Sequence, residues 1–398
     1  MSGTIGERLR RARRERGMTR EDLARAAGVS VDLISKLEQG RRESARITTL
    51  AKLANALDLE IPHLLDRRDR LGPDRDGGSV LAVRDVLLSP SLLPGMDTDD
   101  DGEPTPLDEL ERSVSRAWDH YWAGDFGEVL ASLPNLVGEA RVTHSAVGTA
   151  AVRPLALAYA LASNLMAQIG RTDLGLVAAE RAITVAHTGD DMLLWATMHA
   201  EYAWVLLHQG RYAESEKVAA DMAARIEPSF GDGEKEIAAW GNLLMTAVAP
   251  AVGQDRTPEE YLRPAGAGAE RLGRRVRVYH TSFAPPTVAM QATYAYSILK
   301  KPAEALKAAK RIRPPSKDHP GDLRGISWGA HLMDVAQAHF DAGRLSAATT
   351  TLLEAQQVSP VWFRHQRIAQ ALTRDIRETE KRLSPATRRL TKALGVED

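Results

Sequence analysis

The chain has 398 residues, of which 43% are hydrophobic and 26% charged, with a formal net charge of −1. That length accommodates two or three domains, and the apolar fraction excludes a chain disordered throughout. Cysteine is absent, which excludes disulfides and thiolate metal sites and suits a reducing cytosol.

The small net charge conceals an asymmetry. Residues 1–57 carry 13 Lys/Arg against 7 Asp/Glu, and the remainder carries 39 against 46. A basic head on an acidic body brings only the head to a polyanion. All seven Trp, eight Tyr and five Phe lie beyond residue 117. The N-terminal residues lack an apolar core, so no signal peptide is expected. The longest near-apolar run, 237–253, is interrupted by Asn242, Thr246 and Pro250 and is shorter than the ~20 residues a membrane span needs. It is expected to be a buried helix, and the protein to be cytoplasmic with no membrane partner.

Residues 5–65 read as five short helices around Leu9, Val29, Leu50, Leu53, Leu57, Ile61, Leu64 and Leu65. Within them, Arg20–Gln39 has the spacing of a helix-turn-helix. Two closely crossing helices need a small residue at Ala24, the turn needs a positive φ at Gly28, and Ile34 and Leu37 must pack back on Leu23 and Ala24. Thr19 and Ser30 are placed to cap the two helices, and Gly40 to end the second. The second helix, 31–38, turns Val31, Asp32, Ser35 and Lys36 outward, where it would meet a major groove.

The stretches Thr19-Arg20-Glu21-Asp22-Leu23-Ala24, Gly28-Val29-Ser30, Ile34-Ser35-Lys36-Leu37-Glu38-Gln39-Gly40 and Leu50-Ala51-Lys52-Leu53-Ala54 resemble the phage repressors and their bacterial relatives of the xenobiotic-response-element type. The resemblance implies a double-stranded DNA operator as partner. It implies base contacts from Val31, Asp32 and Lys36, phosphate contacts from Arg20, Gln39, Arg41 and Arg42, and an internal ion pair between Arg13 and Glu38. Lys36 can donate to guanine and Asp32 accept from cytosine, whereas Val31 can touch only a thymine methyl. Position 20 departs from the family, which commonly has Gln there.

Residues 66–106 have linker composition, with Pro73, Pro90, Pro94, Pro104, Pro106, a Gly77-Gly78 pair and an acidic run at 97–101. Val80, Leu81, Val83, Val86, Leu87 and Leu88 could dock as one short helix. Thr105 is expected to cap the next helix with Pro106 at its first position.

From 107 to 398 the chain reads as paired helices with no strand, and Thr257-Pro258-Glu259-Glu260 as a capping box. The unit 329–360, with Leu332, Val335, Ala336, Leu345, Ala348, Leu352 and Ala355 disposed about Gly343, resembles a tetratricopeptide repeat. Gly210, Gly170, Gly124 and Lys300 mark weaker copies. The fold class is therefore all-α: a five-helix head, a linker, and an α-solenoid of degenerate tetratricopeptide-like repeats with a concave surface. The body resembles regulators of high-G+C bacteria and peptide-sensing regulators of Gram-positive bacteria that carry the same kind of head. Counting six and two residues back from each turn along the first helix of a pair places Asn164 and Gln168, Trp204 and His208, Tyr294 and Ile298, and Gln337 and Asp341 on the concave side. Of these, Asn164, Gln168, Trp204, His208, Tyr294 and Gln337 are the candidate ligand residues, since amides can hold a peptide backbone and aromatic rings can wall a pocket.

Catalytic signals are poor. Gly325-Ile326-Ser327-Trp328-Gly329 has the spacing of a nucleophile elbow but no strand before it, so a helix start is expected. Gly266-Ala267-Gly268 lacks a third glycine, and His199 with Glu201 lacks the cysteines of a zinc deaminase. No catalytic residue, metal or cofactor is expected. The expected protein is a homodimeric transcriptional regulator whose body dimerises or senses a peptide or small molecule. The alternative is an interaction scaffold localised by its DNA-binding head.

Overall fold

The computed structural model describes residues 5–40, 47–57, 80–89, 102–229, 231–314, 325–364, 366–380 and 382–396. The head contains α1 (Ile5–Glu15), α2 (Arg20–Ala27), α3 (Val31–Glu38) and α4 (Ile47–Ala56). The expected fifth helix lies outside the described residues, as do Ile61, Leu64, Leu65 and the side chain of Leu50. Local chemistry sets the ends of α2 and α3. The Thr19 hydroxyl accepts the Asp22 amide while the Asp22 carboxylate accepts the Thr19 amide, both at 3.1 Å. Gly28 follows with φ of 60°, in the left-handed region that a side chain would resist. The Ser30 hydroxyl then accepts the Leu33 amide at 3.2 Å. With both helices held, Leu9, Leu23, Ala24, Ala27, Ile34, Leu37, Leu53, Ala54 and Leu57 close into one small buried core.

The 66–106 segment contributes one described helix, α5 (Val80–Leu87). Its Val83 and Leu87 are fully buried in the core of the body, so this part of the linker is docked. The body then runs through α6 (Leu107–Ala123), α7 (Phe126–Val147), a 3-10 turn at Gly148–Ala151, α8 (Val152–Gln168), α9 (Thr172–His187), α10 (Met192–His208) and α11 (Tyr212–Arg225). It continues with α12 (Glu234–Gly253), α13 (Glu259–Leu272), α14 (Pro285–Ile298), α15 (Pro302–Ala309), α16 (Ile326–Asp341) and α17 (Leu345–Val358). It ends in α18 (Pro360–Arg364), α19 (Arg367–Thr379) and α20 (Pro385–Leu394). The apolar stretch 237–253 is the buried part of α12, as expected. The stretch 126–168 includes a window apolar enough to cross a membrane, and 56% of that window is packed inside the protein.

Helix pairs repeat with one turn geometry. Gly124, Gly170, Gly210 and Gly343 have φ of 85°, 80°, 77° and 74°, and Lys300 takes the same left-handed place at 58°. After the turn residue, the next amide reaches back five residues: Arg171 to Met166 at 2.7 Å, Arg211 to Leu206 at 3.0 Å, Lys301 to Tyr296 and Arg344 to His339 at 2.9 Å. Asp255, with φ of 61°, makes the same turn between α12 and α13, a pair the sequence did not announce.

Three expectations fail locally. Thr105 does not cap α6; its amide donates to the Thr143 hydroxyl at 3.0 Å, and that hydroxyl donates back to its carbonyl at 3.3 Å. Thr257 does not cap α13, because its hydroxyl turns to the Glu259 carboxylate instead of a backbone amide. A β-hairpin interrupts the helices: β1 (Val276–Val278) pairs antiparallel with β2 (Thr281–Phe283). Its two-residue turn is Tyr279-His280, with Tyr279 at φ of 53°.

The ends of the body meet. Helices from 83 to 198 and from 326 to 396 share one apolar core, with Trp118, Tyr121, Ile326, Trp362 and Phe363 in it. At the junction Gly325 lies so close to α6 that a Cβ there would overlap the Trp122 carbonyl, and Gly124 packs against Ile326 and Ser359. The head touches the body through Tyr212, which packs on the head's core, and through Lys52, whose ammonium is 3.2 Å from the Asp255 carboxylate.

Candidate DNA-reading surface and concave face

The outward face of α3 follows from the inward one. Ile34, Leu37 and Glu38 are buried, which leaves Val31, Asp32, Lys36 and Gln39 exposed and Ser35 half-buried. Val31 keeps 38% of its surface exposed. The polar groups engage one another. Lys36 and Asp32 are paired at 2.8 Å, and the Gln39 amide donates to the Ser35 hydroxyl at 3.0 Å. Exposed pairs of this kind are weak and exchange readily for base or phosphate partners.

Beneath this face, Glu38 is enclosed by two guanidinium groups. Arg13 donates to it twice, from Nε at 2.6 Å and from Nη2 at 3.0 Å, and donates to the Met18 carbonyl at 2.7 Å. Arg20 Nε donates to the other edge at 2.8 Å. Burial raises the Glu38 pKa, but the hydrogen bonds and charges of Arg13 and Arg20 outweigh it, and the carboxyl ends below its ordinary range. The Arg13–Glu38 pair implied by the resemblance is present. Arg20 differs from the expectation of a pure phosphate ligand: part of its guanidinium is committed to Glu38, and its side chain is 34% exposed. Arg41 and Arg42 lie outside the described residues. Sequence reasoning passed over α1, whose Arg10, Arg11 and Arg14 are exposed, with exposed Arg16 just past its end.

The inward positions of the body are recessed. Asn164 is buried, and Gln168, Trp204, His208, Tyr294, Ile298, Gln337 and Asp341 are half-buried. Asn164 is occupied from within. It accepts from the Tyr121 hydroxyl at 3.4 Å, donates to the Ala160 carbonyl at 3.0 Å and donates to Glu201. The Trp204 and His208 rings touch with centres 4.0 Å apart and planes tilted by 49°, and Gln337 donates to Asp341 at 3.0 Å.

Sequence reasoning missed the hairpin and the contacts its turn makes with α6 and α10. The hairpin turn carries His280 onto Trp118, with ring centres 3.8 Å apart and planes 14° apart. Its Nε2 is 2.7 Å from the Glu201 carboxylate. Tyr279 beside it donates to Asp191 at the start of α10. Trp118 lies six residues before Gly124, an inward position by the same count, so that signal was available. The alternation Val276-Arg277-Val278-Tyr279-His280-Thr281-Ser282-Phe283 was the trace of the hairpin.

A sequence family described as a helix-turn-helix domain matches residues 4–67. The HTH-type transcriptional regulator DdrOP3 of Deinococcus deserti is 35% identical over 86 residues, 22% of this chain and 66% of that protein, so the chain spans just under two thirds of its length. The HTH-type transcriptional regulator SinR of Bacillus subtilis is 33% identical over 87 residues, 21% of this chain and 78% of SinR. Among solved structures, PlcR of Bacillus thuringiensis, in complex with the peptide PapR7 and DNA, aligns over 68% of this chain and 96% of its own, with TM-score 0.29 and 14% identity. ComR of S. thermophilus, in complex with DNA and its signalling peptide ComS, aligns over 88% and 99%, with TM-score 0.27 and 13% identity. On the sequence match to SinR, which covers 78% of that protein at 33% identity, the chain belongs to the helix-turn-helix transcriptional regulators.

Proposed function

We propose that this regulator binds a palindromic operator as a homodimer and that its body senses a peptide or small molecule on the concave face. The reading divides the chain into a DNA-binding head at 5–65, a linker at 66–106 and a regulatory body at 107–398. In it, Val31, Asp32 and Lys36 meet base edges, while Ser35, Gln39, Arg41, Arg42 and the free part of Arg20 position the helix on phosphates. The observation that carries it is the face of α3: a row of exposed side chains, held only by weak local pairs, on a helix fixed by caps and core.

One head offers too small a contact for a specific site, so two heads on half-sites ~10 base pairs apart are expected. For sensing, the support is a set of recessed amide and aromatic side chains at repeated inward positions, Gln168, Trp204, His208, Tyr294 and Gln337. A regulator of transcription works where the DNA is, so a cytoplasmic location goes with this reading, and no catalytic residue is assigned. Footprinting the purified full chain on genomic fragments tests the first half. A symmetric footprint whose affinity collapses when either half-site is scrambled is the expected result, and equal binding to a single half-site excludes the dimer. Culture extracts added to the bound complex test the second half through release or tightening.

A further inference from the structure

The tip of the β-hairpin is seated as a ligand is seated. Its base belongs to one part of the body. Val276, Val278 and Phe283 are buried in an apolar core with residues of α12 and α13, and the Phe283 ring lies so close to α12 that a Cβ on Gly241 would overlap it. Its tip belongs to another part. His280 lies on the Trp118 indole, and its Nε2 is 2.7 Å from the Glu201 carboxylate. The His280 side chain is 2% exposed and that of Glu201 10%. Trp118, Asn164 and Glu201 stand on α6, α8 and α10, the first helices of three successive pairs.

The walls of this seat are held without the tip. Trp118 Nε1 donates to the Leu157 carbonyl at 3.2 Å, and Asn164 donates to the Ala160 carbonyl and to Glu201 while accepting from Tyr121. Withdrawing His280 would leave an indole face beside a buried carboxylate. Among the described residues no Lys or Arg pairs with Glu201, so no permanent cation compensates its charge. The seated tip carries two penalties. Tyr279 holds φ of 53°, a left-handed conformation for which a two-residue hairpin turn ordinarily has Gly or Asn. His280 Nδ1 is buried and has no partner among the described residues. A turn that only joined β1 to β2 would need neither. What these two residues supply instead is contact with α10: Tyr279 donates to Asp191 and His280 to Glu201.

We propose that Trp118, Asn164 and Glu201 form a site for a planar nitrogen cation of the effector, a guanidinium or a protonated nitrogen heterocycle, and that the hairpin tip is its internal occupant, which the effector displaces. The cation lies flat on the indole and donates to Glu201, and it carries neither penalty of the tip. The inference rests on the concave face being where the body senses its effector.

The test uses the full chain with N-methylguanidinium as the probe, N-methylurea as its neutral planar counterpart, and constant ionic strength. His280→Ala vacates the seat. Calorimetry should then show saturable binding of methylguanidinium at least about tenfold tighter than to the wild type. Adding Glu201→Gln should weaken that binding at least about tenfold, and methylurea should bind at least about tenfold more weakly than the cation. Tyr279→Phe removes only the bond to Asp191. It should bind the probe more tightly than the wild type, with faster amide exchange at residues 279–282 once the probe is bound. A folded His280→Ala that binds no cation, binds it equally with Glu201→Gln, or binds methylurea as well overturns the proposal. If His280→Ala does not fold, Tyr279→Phe decides, and probe affinity no higher than that of the wild type overturns it. Operator affinity separates the two readings. Cation binding that needs Glu201 but leaves operator affinity unchanged supports the site and removes the sensing role. An extract that shifts operator affinity equally in wild type and Glu201→Gln keeps sensing and overturns the site.

Discussion

Arg13 and Glu38 are joined by two nearly parallel hydrogen bonds across 25 residues of sequence, and Glu38 is fully buried between α1 and the reading helix. A carboxylate directly behind a DNA-facing surface would repel phosphate if it were free. Enclosed by Arg13 and Arg20, it acts as a fastener. Glu38→Ala leaves two guanidinium groups without their shared acceptor and should destabilise the head by about 3–5 kcal/mol. Faster amide exchange in α1–α3 with unchanged exchange in α6–α10 is the expected signature. Because the folded carboxyl lies below its ordinary value of 4.5, its contribution is complete above that pH and is lost as acid carries the pH through the folded value.

Lys36 and Asp32 trade partners when DNA arrives. Lys36→Ala should cost ~1–3 kcal/mol on the preferred operator and relax the preference at one base pair. Asp32→Ala should release Lys36 from its pair, tightening binding to unrelated DNA while one position of the operator loses discrimination. Competition binding against a library of single-base variants measures both. A uniform loss across all variants in Lys36→Ala would place this side chain on phosphate.

His331 is buried, its Nδ1 has no partner among the described residues, and burial lowers its pKa from 6.5 to about 4. Between those values the unfolded chain holds a proton that the folded chain refuses, so stability rises with pH across that window. The span is worth up to about 3 kcal/mol. Melting temperature should therefore fall from pH 7 towards pH 5, and His331→Leu should flatten that slope.

Lys300 sits where the turns at Gly124, Gly170, Gly210 and Gly343 have glycine. Lys300→Gly relieves a left-handed backbone, worth about 1 kcal/mol. It also removes the cation from a mostly buried Asp341, whose side chain is 12% exposed. The second effect is the larger, because Gln337 alone does not neutralise the charge. The variant should melt below the wild type, whereas Lys300→Gly combined with Asp341→Asn should recover most of the loss.

Gly325→Ala tests the junction of the two ends of the body. The added carbon meets the Trp122 backbone carbonyl, which cannot step aside as a flexible side chain would, and φ at this position is 62°. A loss on the order of 3 kcal/mol or more is expected in thermal melting.

Much of this was legible because it depends on short-range rules. Ala24, Gly28 and Ile34 fixed the head's geometry, and the turns at Gly170, Gly210 and Gly343 fixed the pairing of helices, down to Lys300 in a glycine's place. What escaped was long-range. The hairpin's two strands are three residues each, too short for alternation to stand out. That His280 would end beside Glu201, 79 residues away, depends on how the whole superhelix coils. Thr105 and Thr257 read as caps, but each hydroxyl found another partner, a neighbouring helix in one case and a nearby carboxylate in the other.

The meeting of α6 with α16 changes what kind of repeat protein this is. An open array tolerates duplication or loss of a unit, because each repeat answers only to its neighbours. Here a unit gained or lost would pull Gly325 away from Trp122 and expose the core shared by both ends. The number of repeats is thus fixed by closure, and this body should vary among its kin by substitution and by insertions within loops, seldom by changes in repeat count. Closure also removes the free ends from which a solenoid frays, so the body should melt as one cooperative unit.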